Sequence, residues 1–295
     1  MLGAVVSLCT LSLVFQQPNT QNPVDWKAID SVLGRSGNLQ GETYRVGFPR
    51  SDLHVTVGAV KVRPSLALGS WVAFKQTRDS TVMLMGDLVL LPVEVGSVID
   101  ALRRGGIEQT ALHNHLLSES PHVVYLHIDG RGRPVALATA VHEALGFTRT
   151  PPPVTSPAPP LGLDTVQIAQ VLGAHGKANG GVYQLSIPRA DRVTLDSMEV
   201  PPAMGVATAI NIQATGTTTA AATGDFVLIA SEVNPVLRVL RANGIAVTAL
   251  HSHMLNETPR LFFMHFWGQG DAVKLARGLR AALDEMNIKR DLFAP

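Results

Sequence analysis

Two copies of one motif carry side chains that could bind a metal ion. Each copy has three histidines and one glutamate at the same spacing. The two sets are His113, His115, Glu119 and His127, and His251, His253, Glu257 and His265. Three imidazoles and one carboxylate form a common ligand set for a single transition-metal ion. The motif therefore predicts one divalent metal site in each copy. Such ligands suit zinc, copper, manganese, iron and nickel, so the metal itself is left open.

The motif belongs to a longer internal repeat. Residues 41–52 match residues 180–191, and Gly86-Asp87 matches Gly224-Asp225. A repeat of this length indicates a tandem duplication of one domain and not a short-period solenoid. We predict the first repeat domain at 24–147 and the second at 162–290. A proline-rich linker at 148–161 would join them, because clustered prolines prevent regular structure.

The N-terminal segment, residues 1–20, is predicted to be a signal peptide. The apolar run Leu2–Phe15 is shorter than the roughly 20 residues that a membrane-spanning helix needs, and it fits a secretory h-region. No basic residue precedes it, and a buried core helix is the alternative. Cys9 is the one cysteine of the chain and sits in a poor context for lipid attachment. We expect a secreted or periplasmic protein, in contact with the envelope if lipidated, with no stable membrane span.

The local patterns of each repeat mix helices and strands. Helical spacing of apolar residues marks Trp26–Leu33, Val95–Arg104 and Val135–Leu145. Strand-like runs lie between them, and Thr110–Leu116 with Val123–Ile128 forms a hairpin that carries the motif. The predicted fold class is therefore α+β, a tandem duplication of a mixed, largely antiparallel sheet domain with flanking helices. We expect the two domains to be related by a pseudo-twofold axis and to pack as a pseudo-dimer.

The hairpin explains how the ligands of one copy could converge. Side chains two apart on a strand share a face, so His113 and His115 should point the same way. His127 can lie diagonal to His113 if the strand register allows it. Glu119 would then sit in the connecting turn, free to reach a metal. Asp87 could hold a ligand histidine by a hydrogen bond, as outer carboxylates do, or could stabilise a bulge.

Candidate acid/base residues surround the first motif more than the second. The first copy has His122 and Tyr125, which with Glu119 could act in proton transfer. The second has Arg260 and Phe263 at the matching positions. If the protein is an enzyme, the first copy is expected to carry turnover.

Composition excludes some classes of partner. The net charge is +1, charged residues make up 16% and aromatic residues 5%. A nucleic-acid-binding surface needs clustered basic residues or exposed aromatic rings, and the chain shows neither pattern. A small molecule or a glycan is the expected ligand, and the oligomeric state is left open.

The repeated Gly-Asp strand, the Gly106-Ile107 and Gly244-Ile245 elements and the two Ala-Leu-His-x-His motifs resemble a known family. They resemble the LppY/LpqO family of bacterial exported proteins, which consist of a domain of unknown function. The resemblance covers nearly all of both repeats. It implies an extracytoplasmic setting and implies no activity.

Three functional hypotheses follow. The first is a secreted metalloprotein that acts as a metal-dependent enzyme, either an oxidoreductase, a lyase or a hydrolase, on a small molecule or glycan. The alternative is an envelope protein that binds a metal or a ligand without turnover. The third is a structural module whose histidines are relics. An enzyme should keep an open coordination position, whereas a pure binding site should be closed.

Overall fold

In the computed structural model, which describes residues 23–77, 80–154 and 157–290, each repeat contains a six-stranded antiparallel sheet with helices on one face. The segment predicted to be a signal peptide lies outside these ranges. The elements of the first repeat are α1 (Trp26–Leu33), β1 (Asn38–Gln40), β2 (Thr43–Pro49), β3 (Thr56–Val57), β4 (Val60–Lys61), α2 (Pro64–Ala67), β5 (Gly69–Gln76), β6 (Val82–Leu90), α3 (Val95–Arg104), β7 (Glu108–His113), β8 (Glu119–Ser120), β9 (Val124–Gly132) and α4 (Pro134–Leu145).

The second repeat contains the same succession of elements, with a 3-10 turn in place of the short α2. Its elements are α5 (Thr165–Leu172), β10 (Lys177–Asn179), β11 (Val182–Pro188), β12 (Thr194–Leu195), β13 (Met198–Glu199), the 3-10 turn (Pro202–Met204), β14 (Ala207–Ala214), β15 (Thr219–Leu228), α6 (Ala230–Ala242), β16 (Ala246–His251), β17 (Glu257–Thr258), β18 (Phe262–Asp271) and α7 (Ala272–Leu283).

The strand order is the same in the two repeats. The first sheet runs β1-β2-β5-β6-β9-β7 and the second runs β10-β11-β14-β15-β18-β16. Each is accompanied by a three-stranded sheet, β4-β3-β8 in the first repeat and β13-β12-β17 in the second. The predicted α+β class and the tandem duplication are confirmed.

The helices form because their apolar residues recur on one face and their ends are capped. In α1, the Asp25 side chain accepts hydrogen bonds from two main-chain N–H groups of the first turn, and Gly34 ends the helix with φ of 66°. A positive φ at this position favours glycine because other residues have a Cβ that clashes. Sequence predicted the bounds of α1 and α3 correctly, and α4 begins one residue earlier than expected.

The two faces of each sheet have different partners. Strand β6 is buried at every position, which requires cover on both sides. Alternate residues such as Leu84 and Leu88 pack with helices α1, α3 and α4 in the core of the first repeat. The intervening residues, Met83 and Met85, pack against the second repeat. The sheets therefore face each other through the sides that carry no helices.

Each repeat covers the sheet of the other with an extended segment. The segment that contains β3, β4 and α2 contributes Leu53 and Leu66 to a core shared with Val182 and Ala221 of the second repeat. The equivalent segment of the second repeat packs in the same way on Ala73, Met83 and Met85 of the first. This exchange is reciprocal, which is the property of a twofold-related interface.

Hydrogen bonds between the repeats anchor the exchanged segments. The buried amide of Gln213 accepts from the Arg63 N–H at 2.9 Å and donates to the Lys61 carbonyl oxygen at 2.8 Å. On the other side, Lys75 Nζ donates to the Glu199 carbonyl oxygen at 2.9 Å. The guanidinium of Arg45 lies 3.7 Å from the ring centroid of Trp71, and burial lowers its pKa to about 10.

A buried ion pair closes the turn after β2. Arg50 is fully buried and pairs with Asp52 at 2.9 Å and with Glu94 at 2.8 Å. Arg189 makes the equivalent contacts with Asp191 and Glu232. These guanidinium groups are held by internal carboxylates, which supports a structural role over the binding of an anionic substrate.

The motif hairpin differs from its prediction. Strand β7 ends at His113, so His115 lies beyond it, and Glu119 belongs to the short strand β8 and not to a turn. Strand β8 pairs with β3, with Val57 opposite Glu119. Among the described helices, none combines the length and the apolar character needed to cross a membrane.

Candidate metal centre

The strand register brings histidines of one repeat to one face of its sheet. In the pairing of β7 with β9, Ala111 lies opposite His127 and His113 lies opposite Tyr125. His113 is therefore diagonal to His127, and the two rings stack with centroids 4.8 Å apart. The register therefore allows the placement that the sequence left conditional. A bulge between Gln109 and Ala111 interrupts the pairing just before the motif.

The two motifs form one cluster and not two separate sites. Ring pairs cross the boundary between the repeats with centroid separations of 3.6 to 3.7 Å. These pairs are His113 with His251, His115 with His265, and His127 with His253. Two threonines reinforce the contact reciprocally, since Thr110 Oγ1 donates to the His253 carbonyl and Thr248 Oγ1 donates to the His115 carbonyl, each at 2.6 Å.

Two rings of this six-histidine cluster have their nitrogens oriented as metal-ligating histidines usually do. The Nδ1 atoms of His265 and His253 lie 2.9 and 3.1 Å from the carbonyl oxygens of Gly224 and Gly205. A carbonyl oxygen can only accept, so each Nδ1 carries the proton and each Nε2 holds a free lone pair. The Nε2 atoms of all six rings are buried and have no hydrogen-bond partner among the described residues. Such orphaned buried atoms need an explanation, and a metal ion supplies one.

Two carboxylates complete the cluster. Asp87 Oδ2 lies 3.5 Å from His115 Nε2, and Asp225 Oδ2 lies 3.2 Å from His253 Nε2. The Oδ1 atom of each aspartate is buried and has no hydrogen-bond partner in the described part of the chain. In the sheets, Asp87 is directly opposite His127 and Asp225 is directly opposite His265. The aspartates therefore lie beside the imidazoles, and each belongs to a group of side chains that could hold a metal ion.

Four groups of three side chains have ligand atoms that all lie within 4.8 Å of one another. They are His113, His251 and His265; His127, His251 and His253; Asp87, His113 and His115; and Asp225, His253 and His265. Two of these groups take ligands from both repeats. A transition metal held by such a group would lie roughly 2.0–2.2 Å from each of its three donors.

Burial keeps the imidazoles neutral. Desolvation lowers the pKa values of His113, His115, His127 and His253 to about 3, and those of His251 and His265 also lie below the usual value. Neutral imidazole is the form that ligates a metal.

The two aspartates respond differently to burial. Desolvation raises the pKa of Asp225 to about 6, and the charge of Asp87 adds to this effect. Burial also acts to raise the pKa of Asp87, but the neighbouring imidazoles outweigh it and hold that pKa well below its ordinary value. A bound cation would stabilise both carboxylates in their charged form.

The structure does not bring Glu119 and Glu257 into these groups. Glu119 Oε1 accepts from the Val123 N–H at 3.3 Å and lies 2.6 Å from His122 Nδ1. Glu257 Oε1 accepts from the Leu261 N–H at 2.8 Å, and its other oxygen pairs with Arg260 at 3.3 Å. The pairing of β8 and β17 with neighbouring strands fixes both residues, so neither is the mobile turn carboxylate that the sequence suggested.

The other two candidate acid/base residues also lie outside these groups. The side chain of His122 is half-exposed and contacts Glu119. Tyr125 is fully buried, its hydroxyl donates to the Ala67 carbonyl at 2.9 Å, and burial raises its pKa well above the ordinary value. Its ring stacks on His115 at 3.4 Å, as Phe263 stacks on His253 at 3.3 Å. An aromatic ring at this position, Tyr125 or Phe263, therefore packs against a candidate ligand in each copy.

Comparison with known proteins assigns the chain to a family whose activity is unknown. The model of the family described as Domain of Unknown Function (DUF1259) matches residues 27–146 and again residues 166–285. The chain therefore belongs to this uncharacterised family and contains two copies of its domain. No curated protein matches the chain significantly.

Two solved structures show a low overall likeness. One is a trimeric bacterial microcompartment shell protein, PduB, with 12% identity and a TM-score of 0.20 over 85% of this chain and 93% of that one. The other is EtuB from Clostridium kluyveri, with 12% identity and a TM-score of 0.19 over 84% of this chain and 90% of that one. Scores this low carry no argument about fold or function.

Proposed function

We propose that this protein binds a divalent transition metal at a single centre shared by its two repeats, and that binding is its primary function. The observation that carries the proposal is the set of six buried Nε2 atoms without hydrogen-bond partners in the described structure. Two of them, in His115 and His253, have an aspartate oxygen at 3.5 and 3.2 Å, and the other four have no carboxylate within ion-pair distance among the described residues. A metal ion would account for these atoms, because a buried acceptor costs free energy when it is left unpaired.

The pseudo-twofold arrangement repeats the candidate ligand groups, so two ions could be bound. Each repeat has one group made of an aspartate and two of its own histidines, and two further groups of three histidines take ligands from both repeats. Sites rich in imidazole suit zinc, copper, nickel and iron, while manganese more often takes oxygen ligands. The proposal is therefore up to two ions per chain, with the first four metals favoured over manganese.

A metal-dependent enzyme that acts on a small molecule or glycan is the second candidate. One observation favours it: His113, His115 and His251 are only partly buried, and each candidate group has three protein ligands. Three protein ligands with a fourth, open position are typical of catalytic sites. The placement of Glu119, His122 and Tyr125 outside the groups favours binding without turnover.

We also propose that the protein is exported and belongs with the LppY/LpqO proteins. The apolar segment near the N-terminus and the resemblance of the repeated motifs support this. Export would place the centre where metal ions are captured from outside the cytoplasm. Cell fractionation of the full-length protein, with mass spectrometry of its mature N-terminus, tests the proposal.

The decisive experiment on the centre is the metal content of protein purified without a histidine tag. We expect one to two ions per chain after the protein is stripped and reloaded with zinc, copper, nickel, iron or manganese in turn. Less than about 0.2 ions per chain with every metal, in protein shown to be folded, would refute the proposal, because buried imidazole clusters bind such ions tightly. Exposed His142→Gln is the matched control and should not change the metal content.

A further inference from the structure

A cavity separate from the metal centre lies at the boundary between the repeats. It has a volume of about 880 Å³ and is lined by residues 51, 53–56 and 59–64 of the first repeat together with residues 213–215, Thr219 and residues 269–270 of the second. Pockets of about 300–1,000 Å³ suit small-molecule ligands. None of the six histidines of the centre lines it.

The lining combines apolar walls with positive charge. Leu53, Val55, Val60 and Val62 form a floor of which each exposes at most 8%, and the more accessible apolar residues are Ala59, Pro64 and Ala214. The basic residues are His54, Lys61 and Arg63. Among the described residues, no aspartate or glutamate lines the cavity.

The charge of Lys61 is available to a ligand. Its side chain is exposed, and among residues 23–77, 80–154 and 157–290 no carboxylate lies within ion-pair distance of it. Gln213 holds the main chain around Lys61 and Arg63 in place, and Arg63 also donates to the Gly181 carbonyl oxygen. The wall that carries the positive charge is therefore anchored to the second repeat.

The equivalent place on the other side of the pseudo-twofold axis differs. There, Glu199 stands where Lys61 stands in the first repeat and pairs with Arg192 at 3.0 Å. Arg131, at the position of Gln269, reaches Asp196 at 3.6 Å. Internal ion pairs neutralise that side, whereas the cavity side keeps an unpaired cation. The two repeats have diverged here although the fold around them is the same.

We propose that this cavity binds a small organic anion, in which an apolar body lies against Ala59, Pro64 and Ala214 and a carboxylate, sulfonate or phosphate group contacts Lys61. The apolar walls provide the contact area, and the exposed ammonium selects for negative charge. This site does not depend on the metal centre, so either can exist without the other.

A pair of probes with similar bodies tests the proposal on the intact protein. Anilinonaphthalene sulfonate carries one negative charge, and phenylnaphthylamine is its neutral counterpart. Fluorescence titration should show one anionic probe bound per chain, with affinity roughly tenfold greater than that of the neutral probe, as one charge-assisted contact implies. Binding of the anionic probe should weaken as salt is raised, because the charge is exposed.

Two variants locate the binding. Lys61→Ala should weaken binding of the anionic probe roughly tenfold and leave the neutral probe unchanged, whereas Lys274→Ala on the exposed side of α7 should change neither. Ala59→Trp should fill the rim of the cavity and abolish the binding of both probes. The proposal is overturned if the two probes bind equally, or if anionic binding survives both Lys61→Ala and Ala59→Trp in protein with native circular dichroism and metal content.

Discussion

The imidazole of His113 stacks on that of His251, with ring centroids 3.6 Å apart and planes inclined by 18°. These residues occupy equivalent positions in the two repeats. Equivalent residues can meet in this way only where a twofold axis passes between them. The centre therefore lies on the pseudo-twofold axis, and each motif supplies only part of it.

The double variant His113→Ala with His115→Ala should remove more than half of the bound metal. Of the two candidate groups that cross the boundary, one loses its ligand His113. The other keeps its ligands, but its His251 loses the ring of His113 on which it stacks. His265 likewise loses the ring of His115. Elemental analysis and metal titration of the variant measure the effect. Two independent sites would instead leave one ion bound with its original affinity in the second repeat.

Asp87→Asn should weaken metal binding by about 10–100-fold, the range seen when a carboxylate beside a metal-ligating histidine is changed. Glu119→Gln should leave metal affinity unchanged. It should instead lower the free energy of unfolding by about 1–3 kcal/mol, because Glu119 is buried and holds the Val123 N–H.

Competition with a chromogenic chelator measures affinity for both carboxylate variants, and urea unfolding measures their stability. If Glu119→Gln lost the metal and Asp87→Asn kept it, the carboxylate ligand would be Glu119 of the motif and not Asp87.

The metal-free protein should become less stable as the pH falls from about 6.5 toward 3. In the folded state His113, His115, His127 and His253 have pKa values of about 3, against 6.5 in the unfolded chain. The unfolded state therefore binds more protons over this range, and stability is lost on acidification. Asp225, with its pKa raised from 3.8 to about 6, acts in the opposite direction but is a single group.

Thermal unfolding at a series of pH values checks this dependence. His127→Gln should flatten the slope of melting temperature against pH, even if the variant is less stable at neutral pH. His142→Gln, on the surface of α4, should keep the slope of the unchanged protein. A slope that His127→Gln leaves intact would show that other groups cause the acid sensitivity.

The threonine pair between the repeats should contribute to stability. Thr110→Val and Thr248→Val each remove one hydrogen bond to a histidine carbonyl of the other repeat and keep the side-chain volume. We expect each to cost about 1 kcal/mol and to lower metal affinity as well, because those carbonyls belong to His253 and His115. Thr139→Val, on the exposed face of α4, should change stability by less than about 0.5 kcal/mol.

Sequence predicted the fold of one repeat well because the signals were local. The helical spacing of Val95–Arg104 and the glycine after Leu33 determine those elements from neighbouring residues alone. The diagonal placement of His113 and His127 depended on a strand register that the sequence did not fix, because a slip of one residue would send His127 to the opposite face. The short pairing of β8 with β3 was missed, since strands of two residues carry no periodic signal.

The composition of the site was harder to predict because it depends on contacts between distant segments. The spacing of each motif suggested a complete ligand set of three histidines and Glu119 or Glu257. The structure instead joins both motifs and adds Asp87 and Asp225 from the central strands. The repeated Gly-Asp pair was the available signal, because an aspartate in a fully apolar strand requires a partner.

The proline-rich segment joins the two repeats in one chain, so assembly of the centre does not depend on the protein concentration. A centre built from two separate chains would fall apart on dilution, since its ligands would part with the subunits. Here both sets of ligands belong to one chain, so their encounter is intramolecular and takes place at a high effective concentration. The affinity of the centre for its metal is then independent of how little of the protein is present.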